Sequence, residues 1–272
     1  MVPSSPSPTA ELVPKILTAY DYARELQHDP IAQLIRQRAS LPSYDQRFFR
    51  VLQANDIRRC DAFIRCLRNA KREYNLAIRG FFYAAQLGSV RLLDYFLTRW
   101  KVDVNVQQRQ RNGFFTTGLL TAITHQQNES AKFLLFRHAD PSIKGEFDNA
   151  LVTALHWHSN TDLLRLLLDK NVDLAARHPD YTKLTLRDYC VLTDRVKAKK
   201  ELDLYIVRLI NQGDYDRLKW LVDRGYTHIN VSTTTSKRNG RQLAKERYFE
   251  RIVRLIDDVE RAQFRARMKM NY

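Results

Sequence analysis

Apolar residues recur at helical spacing on both sides of a Gly-Ser pair in the stretch from 81 to 105. The residues that share one face of the two short helices are Phe82, Ala85, Leu92, Leu93, Phe96 and Leu97. Gly88 and Ser89 interrupt this period as a tight turn would, and the polar-apolar alternation from Val102 to Asn105 suits a hairpin-like turn. The stretch therefore predicts a helix, a turn, a second helix and a hairpin-like tip.

The same plan recurs along most of the chain. Copies begin near Thr18, Phe48, Phe81, Thr117, Ala150, Leu204 and Gly240. A helix-turn-helix unit of about 33 residues has the period of ankyrin repeats. The paired alanines, the glycine followed by a small polar residue, the aliphatic run and the Asp-Val-Asn type turn resemble that family. The resemblance implies an all-α, ankyrin-type solenoid of stacked helix-turn-helix repeats with short hairpin tips over residues 16–262.

Several positions depart from the family pattern. Gln126, Ser159 and Tyr248 occupy turns between helices where glycine is usual, and Asn171 stands where the family has glycine after the second helix. Asparagine adopts the left-handed backbone conformation more readily than most residues, so its departure is mild. Residues 181–203 are too short and too charged for a complete second helix and hairpin, which predicts an irregular, truncated or fused repeat.

The terminal segments and the overall composition predict a folded protein inside a cell. Residues 1–15 are rich in Ser and Pro and predict a disordered leader, with a phosphorylated or export-related segment as the alternative. Residues 263–272 form a basic C-terminal tail. The three cysteines show no CxxC spacing and are interpreted as reduced core residues. No transmembrane segment or secretory signal is predicted, so we expect a cytoplasmic or nuclear protein, or one in a host cell if it is an exported effector.

Positive charge dominates the chain. Lys and Arg total 45 against 30 Asp and Glu, which gives a formal net charge of +15. The excess clusters within 236–272 and on one earlier outer helix that carries Arg58, Arg59, Arg65, Arg68, Lys71 and Arg72. Such patches could bind nucleic acid or an anionic membrane. We favour solvated outer faces of the repeats, whose field would also suit a partner protein with an acidic surface.

The sequence offers little for catalysis. His156 and His158 would lie about 200° apart on a helix, so a shared metal is not predicted. Thr153 to His156 resembles the tetrapeptide Thr-Pro-Leu-His of the family, but we align the repeat on the run from Leu163 to Leu168 and expect His156 to bond between neighbouring repeats. No glycine-rich phosphate loop, GxSxG or HExxH motif is present. We predict a protein that is not an enzyme, with no cofactor and no metal site.

The resemblance implies that hairpin tips and inner helices bind a partner protein on a concave face. The tip residues predicted to do so are Trp100, Lys101, Asp103, Arg109, Arg111, Phe114, Phe115, Arg137, His138, Lys170, Arg177, Arg224, Tyr226 and His228. The long connection from 106 to 115 is the best candidate, because it sets two aromatic residues beside two arginines. In the alternative, Phe114 and Phe115 begin the next inner helix.

The predicted function is that of a monomeric adaptor, scaffold or inhibitor that binds another protein. The alternative is a basic protein that binds nucleic acid or an anionic membrane, with an exported effector acting in a host cell as one form of it.

Overall fold

The computed structural model describes residues 44–66, 70–157, 160–232 and 238–270, with the side chains of 44–46 and 270 left out. The chain divides into two compact units, Met1–Ala54 and Asn55–Tyr272. In the first unit the described part contains helix α1, Tyr44–Gln53. The predicted leader and the repeat copy that begins near Thr18 lie outside the described residues.

The regular secondary structure in the described part of the second unit is almost entirely helical. Its helices are α2 (Ile57–Arg65), α3 (Ala70–Leu87), α4 (Val90–Arg99), α5 (Gly118–Thr124), α6 (Asn128–Phe136), α7 (Ala150–His156), α8 (Thr161–Asp169), α9 (Leu186–Leu192), α10 (Val196–Gln212), α11 (Tyr215–Asp223), α12 (Gly240–Glu246) and α13 (Glu250–Met270). Two short strands, β1 (Gln108–Arg109) and β2 (Phe115–Thr116), and a 3-10 turn at Pro179–Tyr181 complete the described elements. The predicted all-α class is confirmed.

Helices of the second unit pack in chain order. Helix α3 contacts α4 and α5, α5 contacts α6 and α7, and α7 contacts α8. The second helices of these pairs also contact one another, α4 with α6 and α6 with α8. The order continues through α8 with α10, α10 with α11 and α12, and α13 with both α11 and α12. From α3 to α8, each helical pair therefore contacts the next pair along the chain.

Polar side chains cap the helices at recurring positions. Thr117, Asn149, Thr185 and Asn239 each accept a hydrogen bond from a backbone N–H in the first turn of α5, α7, α9 and α12. Such caps satisfy N–H groups that have no partner within the helix. Helix α7 thus begins at Ala150, and the tetrapeptide Thr153 to His156 lies at its C-terminal end.

The turns between paired helices use left-handed residues. Gly88 has a φ of 78°, and the same region is adopted without glycine by Gln126 (φ 57°) and Tyr248 (φ 61°). Asn171, which follows α8, has a φ of 57°. The predicted turn at Ser159 lies outside the described residues. Because non-glycine residues are disfavoured in this region, the turn at Tyr248 stores backbone strain that a glycine would relieve.

Hydrogen bonds link residues about one predicted period apart. Ser89 donates to Asn55 over 2.8 Å and Tyr95 donates to Asp61 over 2.7 Å, and the members of each pair are 34 residues apart in the chain. The side chain of Asn105 accepts from the backbone N–H of Asp140, 35 residues further on. Residues of neighbouring helical pairs that are 34 or 35 positions apart in the chain therefore meet in space.

Three assignments made from the sequence differ from the structure. Residues 196–212 form the single helix α10, which runs through the boundary predicted at Leu204. The basic tail from 263 is helical as far as Met270, because it continues α13. The basic residues assigned to one outer helix lie on two, since Lys71 belongs to α3, while Arg68 lies outside the described residues.

Candidate protein-binding surface

The connection between α4 and α5 forms a β-hairpin. Gln108 pairs with Thr116 and Arg109 pairs with Phe115 in antiparallel register. The backbone N–H of Gln110 donates to the carbonyl of Phe114 over 2.8 Å, which closes the loop. Gly113 turns the chain with a φ of 88°. We call residues 108–116 the α4–α5 hairpin.

Aromatic and cationic side chains of this hairpin face solvent. Phe114 and Phe115 are 48% and 50% exposed, and Arg109 and Arg111 are also exposed. Within the part of the chain that the structure describes, neither arginine forms an ion pair. Helix α5 begins only at Gly118, so the interpretation of the two phenylalanines as the start of that helix is wrong.

The base of the hairpin is anchored in the core. Thr116 and Thr117 are buried, and the hydroxyls of Thr116 and Thr121 lie 3.2 Å apart within hydrogen-bond reach. Thr117 caps α5 by accepting from the N–H of Leu120 over 3.2 Å. Because the anchored base orders the strands, a partner would meet a preformed surface at the exposed end.

The tip that follows α4 is held by its own hydrogen bonds. The indole N–H of half-buried Trp100 donates to the hydroxyl of Tyr95 over 2.7 Å. Lys101 is exposed with a φ of 52°, and exposed Asp103 accepts from the backbone N–H of Asn105 over 2.9 Å. The same turn recurs where Asp140 accepts from the N–H of Ser142. Of the three predicted binding residues at this tip, Lys101 is therefore the one whose side chain forms no hydrogen bond with the described residues.

The tips after α6 and α8 contain both exposed and engaged residues. His138 and Lys170 are exposed. Arg137 forms an ion pair with Asp94 on the neighbouring α4, and its guanidinium lies 5.4 Å from the centre of the Phe133 ring. The predicted binding residue Arg137 thus also connects two helices, but because both partners are more than 40% exposed, the pair should contribute little to stability.

Residues predicted to bind near α11 are largely engaged within the fold. Arg224 pairs with Asp173 over 2.8 Å, and Arg177 donates to the carbonyl of Gly225 over 3.4 Å. The imidazole of His228 lies 3.0 Å from a carboxylate oxygen of Asp188. Tyr226 is fully buried, so its assignment to partner binding is corrected. Its burial raises the pKa of the hydroxyl well above the usual range.

Two buried carboxylates, absent from the sequence prediction, bind arginines. Glu201 is 6% exposed and accepts two hydrogen bonds from Arg165, over 2.6 and 2.7 Å. Asp203 is 4% exposed and accepts from Arg187 over 2.6 Å and from Lys199 over 2.9 Å. Arg165, Arg187 and Lys199 are therefore engaged by carboxylates of the fold.

Two histidines meet in an aromatic cluster between α7 and the tip before α9. The Nδ1 of His156 lies 2.8 Å from the Nε2 of buried His178. The backbone N–H of Asp180 donates to the Nδ1 of His178, which leaves His178 Nε2–H to donate to His156. The ring of His156 also stacks on Phe147 at 3.9 Å, and that of His178 on Tyr189 at 4.8 Å. His156 thus bonds to a residue outside the helical pair of α7 and α8, while His158 lies outside the described residues.

Stability is expected to fall as the solution is acidified through the range where these histidines titrate. Burial lowers the pKa of both His156 and His178 in the folded state. A histidine whose pKa is lower in the folded state binds fewer protons there than in the unfolded chain. Its contribution to the free energy of unfolding is therefore present above the unfolded pKa of about 6.5 and is lost as the pH decreases below that value. Protonation of His156 at Nδ1 would also remove the acceptor of the bond between the rings.

The loss of stability on acidification is measured by urea unfolding at about pH 7.5 and at about pH 5.5. The parent is compared with a double variant that carries His156→Gln and His178→Gln. The parent should lose more stability on acidification than the double variant. The exposed His138→Gln change serves as the control and should retain the parental pH dependence. Equal losses in the parent and the double variant would show that other groups cause the pH dependence.

A cleft of about 550 Å³ lies where α7, α8 and the start of α10 meet. Arg195 lines it, donates to the carbonyl of His156 over 3.1 Å and lies over the ring of Tyr189. Its Nε and Nη1 are buried and form no hydrogen bond with the described residues. Because solvent does not reach these two atoms, a ligand in the cleft would not reach them either, and the arginine is a packing element of the aromatic cluster.

The described residues give little sign of other chemistry. Among them, no group of three or more His, Cys, Asp or Glu side chains is placed to hold a metal ion. Burial raises the pKa of the Cys60 and Cys190 thiols to about 12. Cys66 is exposed, which corrects its interpretation as a core residue. No described helix is both long enough and apolar enough to cross a membrane.

Comparison with known proteins adds little to this geometry. No protein-family model matches the chain, and no curated protein matches it. Among solved structures, the chain is similar to one in the complex described as the Bd0816 predatory endopeptidase from Bdellovibrio bacteriovorus with immunity protein Bd3460. That likeness has a TM-score of 0.38 and 16% sequence identity, over 65% of this chain and 96% of the other. At this TM-score it carries no argument about function.

Proposed function

We propose that this protein is a non-enzymatic interaction module built from ankyrin-type repeats, which binds a partner protein through the α4–α5 hairpin. The observation that carries the proposal is the exposure of Phe114 and Phe115 beside Arg109 and Arg111, which are exposed and form no ion pair with the described residues. Aromatic and arginine side chains supply much of the binding energy at protein interfaces.

The repeat assignment is supported by the local features that recur along the second unit. Polar caps open α5, α7, α9 and α12, and left-handed residues separate the paired helices. Hydrogen bonds join side chains 34 residues apart, as between Tyr205 and Asn171. In a repeat protein each unit stacks on its neighbours, so a hairpin inserted between two units is presented on a rigid support.

The arrangement of the hairpin favours a partner with an apolar pocket and an acidic rim. Arg109 pairs with Phe115 across the strands, so a guanidinium and an aromatic ring share one face of the hairpin. Insertion of the rings would bury apolar surface that is now half exposed, and carboxylates on the partner would face the two guanidiniums. Lys101, His138 and Lys170 are the other exposed tip residues that could extend such a contact.

Replacing both Phe114 and Phe115 with serine is expected to abolish capture of the partner. Truncating an aromatic side chain at the centre of an interface commonly lowers the binding affinity by about tenfold or more. The chain is immobilised, proteins are captured from a nuclease-treated lysate, and each captured protein is purified and tested again as a binary mixture. Phe136→Ser is the matched control, since Phe136 is 84% exposed at the end of α6.

A protein that binds the parent and the Phe136→Ser variant, but not the double variant, would support the proposal. If every captured protein binds the double variant as tightly as the parent, the hairpin is not the interface. Matching circular dichroism spectra of the three proteins would show that the changes leave the helices intact.

A further inference from the structure

The C-terminal end of α13 extends beyond the part of the helix that packs on the fold. Ile252, Ile256 and Val259 are buried and form the stripe that faces α11 and α12. The stripe ends at half-buried Gln263, whose side-chain amide donates to the carbonyl of Thr227 over 3.4 Å. We call residues 261–269 the C-terminal arm, in which every described side chain except that of Gln263 is exposed.

The arm carries a second apolar stripe that the fold does not cover. Phe264 is 65% exposed and Met268 is 46% exposed. At 3.6 residues per turn these two side chains lie next to each other, roughly 130° around the helix from the buried stripe. They therefore do not continue the core face of α13 but form a separate exposed ridge.

Cations flank this ridge on both sides. The same helical period places Arg261 and Arg265 on one side of Phe264 and Met268, and Arg267 on the other. The arm contains no Asp or Glu. Arg265, Arg267 and Lys269 form no ion pair with the described residues, and Arg261 has only a solvent-exposed contact of 3.9 Å with Asp258. The nearby Asp257 is already bound by Arg241 over 2.5 Å.

We propose that the C-terminal arm binds the surface of an anionic lipid bilayer, with Phe264 and Met268 inserted among the headgroups and the flanking arginines at the level of the lipid phosphates. This surface is separate from the α4–α5 hairpin and does not depend on the function proposed for it. Helices that lie in a membrane interface combine a basic face with aromatic and aliphatic side chains in this way.

The composition of the ridge favours lipid over the other anionic surfaces. A nucleic acid backbone would attract the arginines, but it offers little burial to Phe264 and Met268 at the centre of the arm. A stable protein interface takes roughly 20–30 residues from each side, whereas the arm is short and convex. Shallow insertion of two apolar side chains, together with additive attraction of cations to a negative surface, requires no larger area.

The proposal is tested by sedimentation of the full chain with vesicles of phosphatidylcholine, alone or mixed with phosphatidylserine. The parent should sediment with the mixed vesicles and not with pure phosphatidylcholine. Replacing Arg261, Arg265 and Arg267 with glutamine should weaken binding on the order of a hundredfold, since each cation near an anionic surface contributes about fivefold. Replacing Phe264 and Met268 with serine should weaken it by about tenfold or more.

A charge-matched control replaces exposed cations on α2, Arg58, Arg59 and Arg65, with glutamine. This control should bind the mixed vesicles as the parent does. The proposal is overturned if the parent does not sediment at low salt, or if the α2 control weakens binding as much as the arm variant. It is also overturned if the chain binds a generic DNA duplex through the same arginines but does not bind the vesicles.

Discussion

Replacing Asp203 with alanine is expected to lower the free energy of unfolding by about 3–5 kcal/mol. The Asp203 side chain is 5% exposed and accepts hydrogen bonds from Arg187 and Lys199. Its removal leaves the Arg187 guanidinium, which is 21% exposed, without the carboxylate that compensates its charge. Breaking a buried pair on one side costs more than the pair itself contributes, because the remaining charge stays desolvated.

The control for this variant is Asp169→Ala, on the surface of the same unit. Asp169 pairs with Arg208, and the two side chains are 49% and 43% exposed. An exposed pair contributes about 1 kcal/mol or less, so this change should alter urea unfolding only slightly. If both variants unfold at the same urea concentration, Asp203 is not held in the buried network that the structure shows.

Replacing Phe96 with alanine is expected to cost about 3–5 kcal/mol of stability. Phe96 is fully buried on α4 and packs edge to face on Tyr95, with ring centres 5.1 Å apart. The change removes a large side chain from between helical pairs, and the surrounding helices cannot close the cavity without moving. Unfolding followed by circular dichroism in urea measures the loss.

Phe136→Ala removes the same side chain from a position that is 84% exposed. Its effect on stability should stay within about 0.5 kcal/mol, because surface substitutions away from special contacts are usually near neutral. A large loss of stability for Phe136→Ala, or a negligible one for Phe96→Ala, would contradict the assignment of Phe96 to the core and of Phe136 to the surface.

The helical plan could be predicted because it depends on local patterns. Gly88 and Ser89 separate α3 from α4 as the apolar spacing indicated, and the turn positions at Gln126 and Tyr248 are left-handed although neither is glycine. These features depend on residues close together in the chain, where period and turn chemistry are informative.

The continuous helix α10 was missed for a physical reason. Its first half contains three Lys, one Glu and one Asp, and the stretch was interpreted as too short and too charged for a complete second helix and hairpin. Lys, Ala and Glu are nevertheless strong helix formers, so propensity alone favours a helix through this stretch. Glu201 and Asp203 become buried because Arg165 and Arg187, from other helices, neutralise them. Such pairing depends on the tertiary fold and leaves no period in the sequence.

The candidate site was predicted only in part. The connection with Phe114 and Phe115 was proposed because its length exceeds the repeat period. Arg137 and Arg224 were assigned to partner binding because tips usually expose their cations, but their carboxylate partners, Asp94 and Asp173, are 43 and 51 residues away in the chain. Tyr226 was assigned on its position alone, and its burial is a property of the folded unit.

The most direct test of the proposed function is photo-crosslinking from the hairpin. A photoreactive phenylalanine analogue is placed at position 114 in one protein and at position 136 in another, since both positions are exposed phenylalanines in the parent. After irradiation in lysate, crosslinked proteins are identified by mass spectrometry. The account predicts one crosslinked partner from position 114 that is absent from position 136. The same partner from both positions, or none from position 114, would contradict binding through the α4–α5 hairpin.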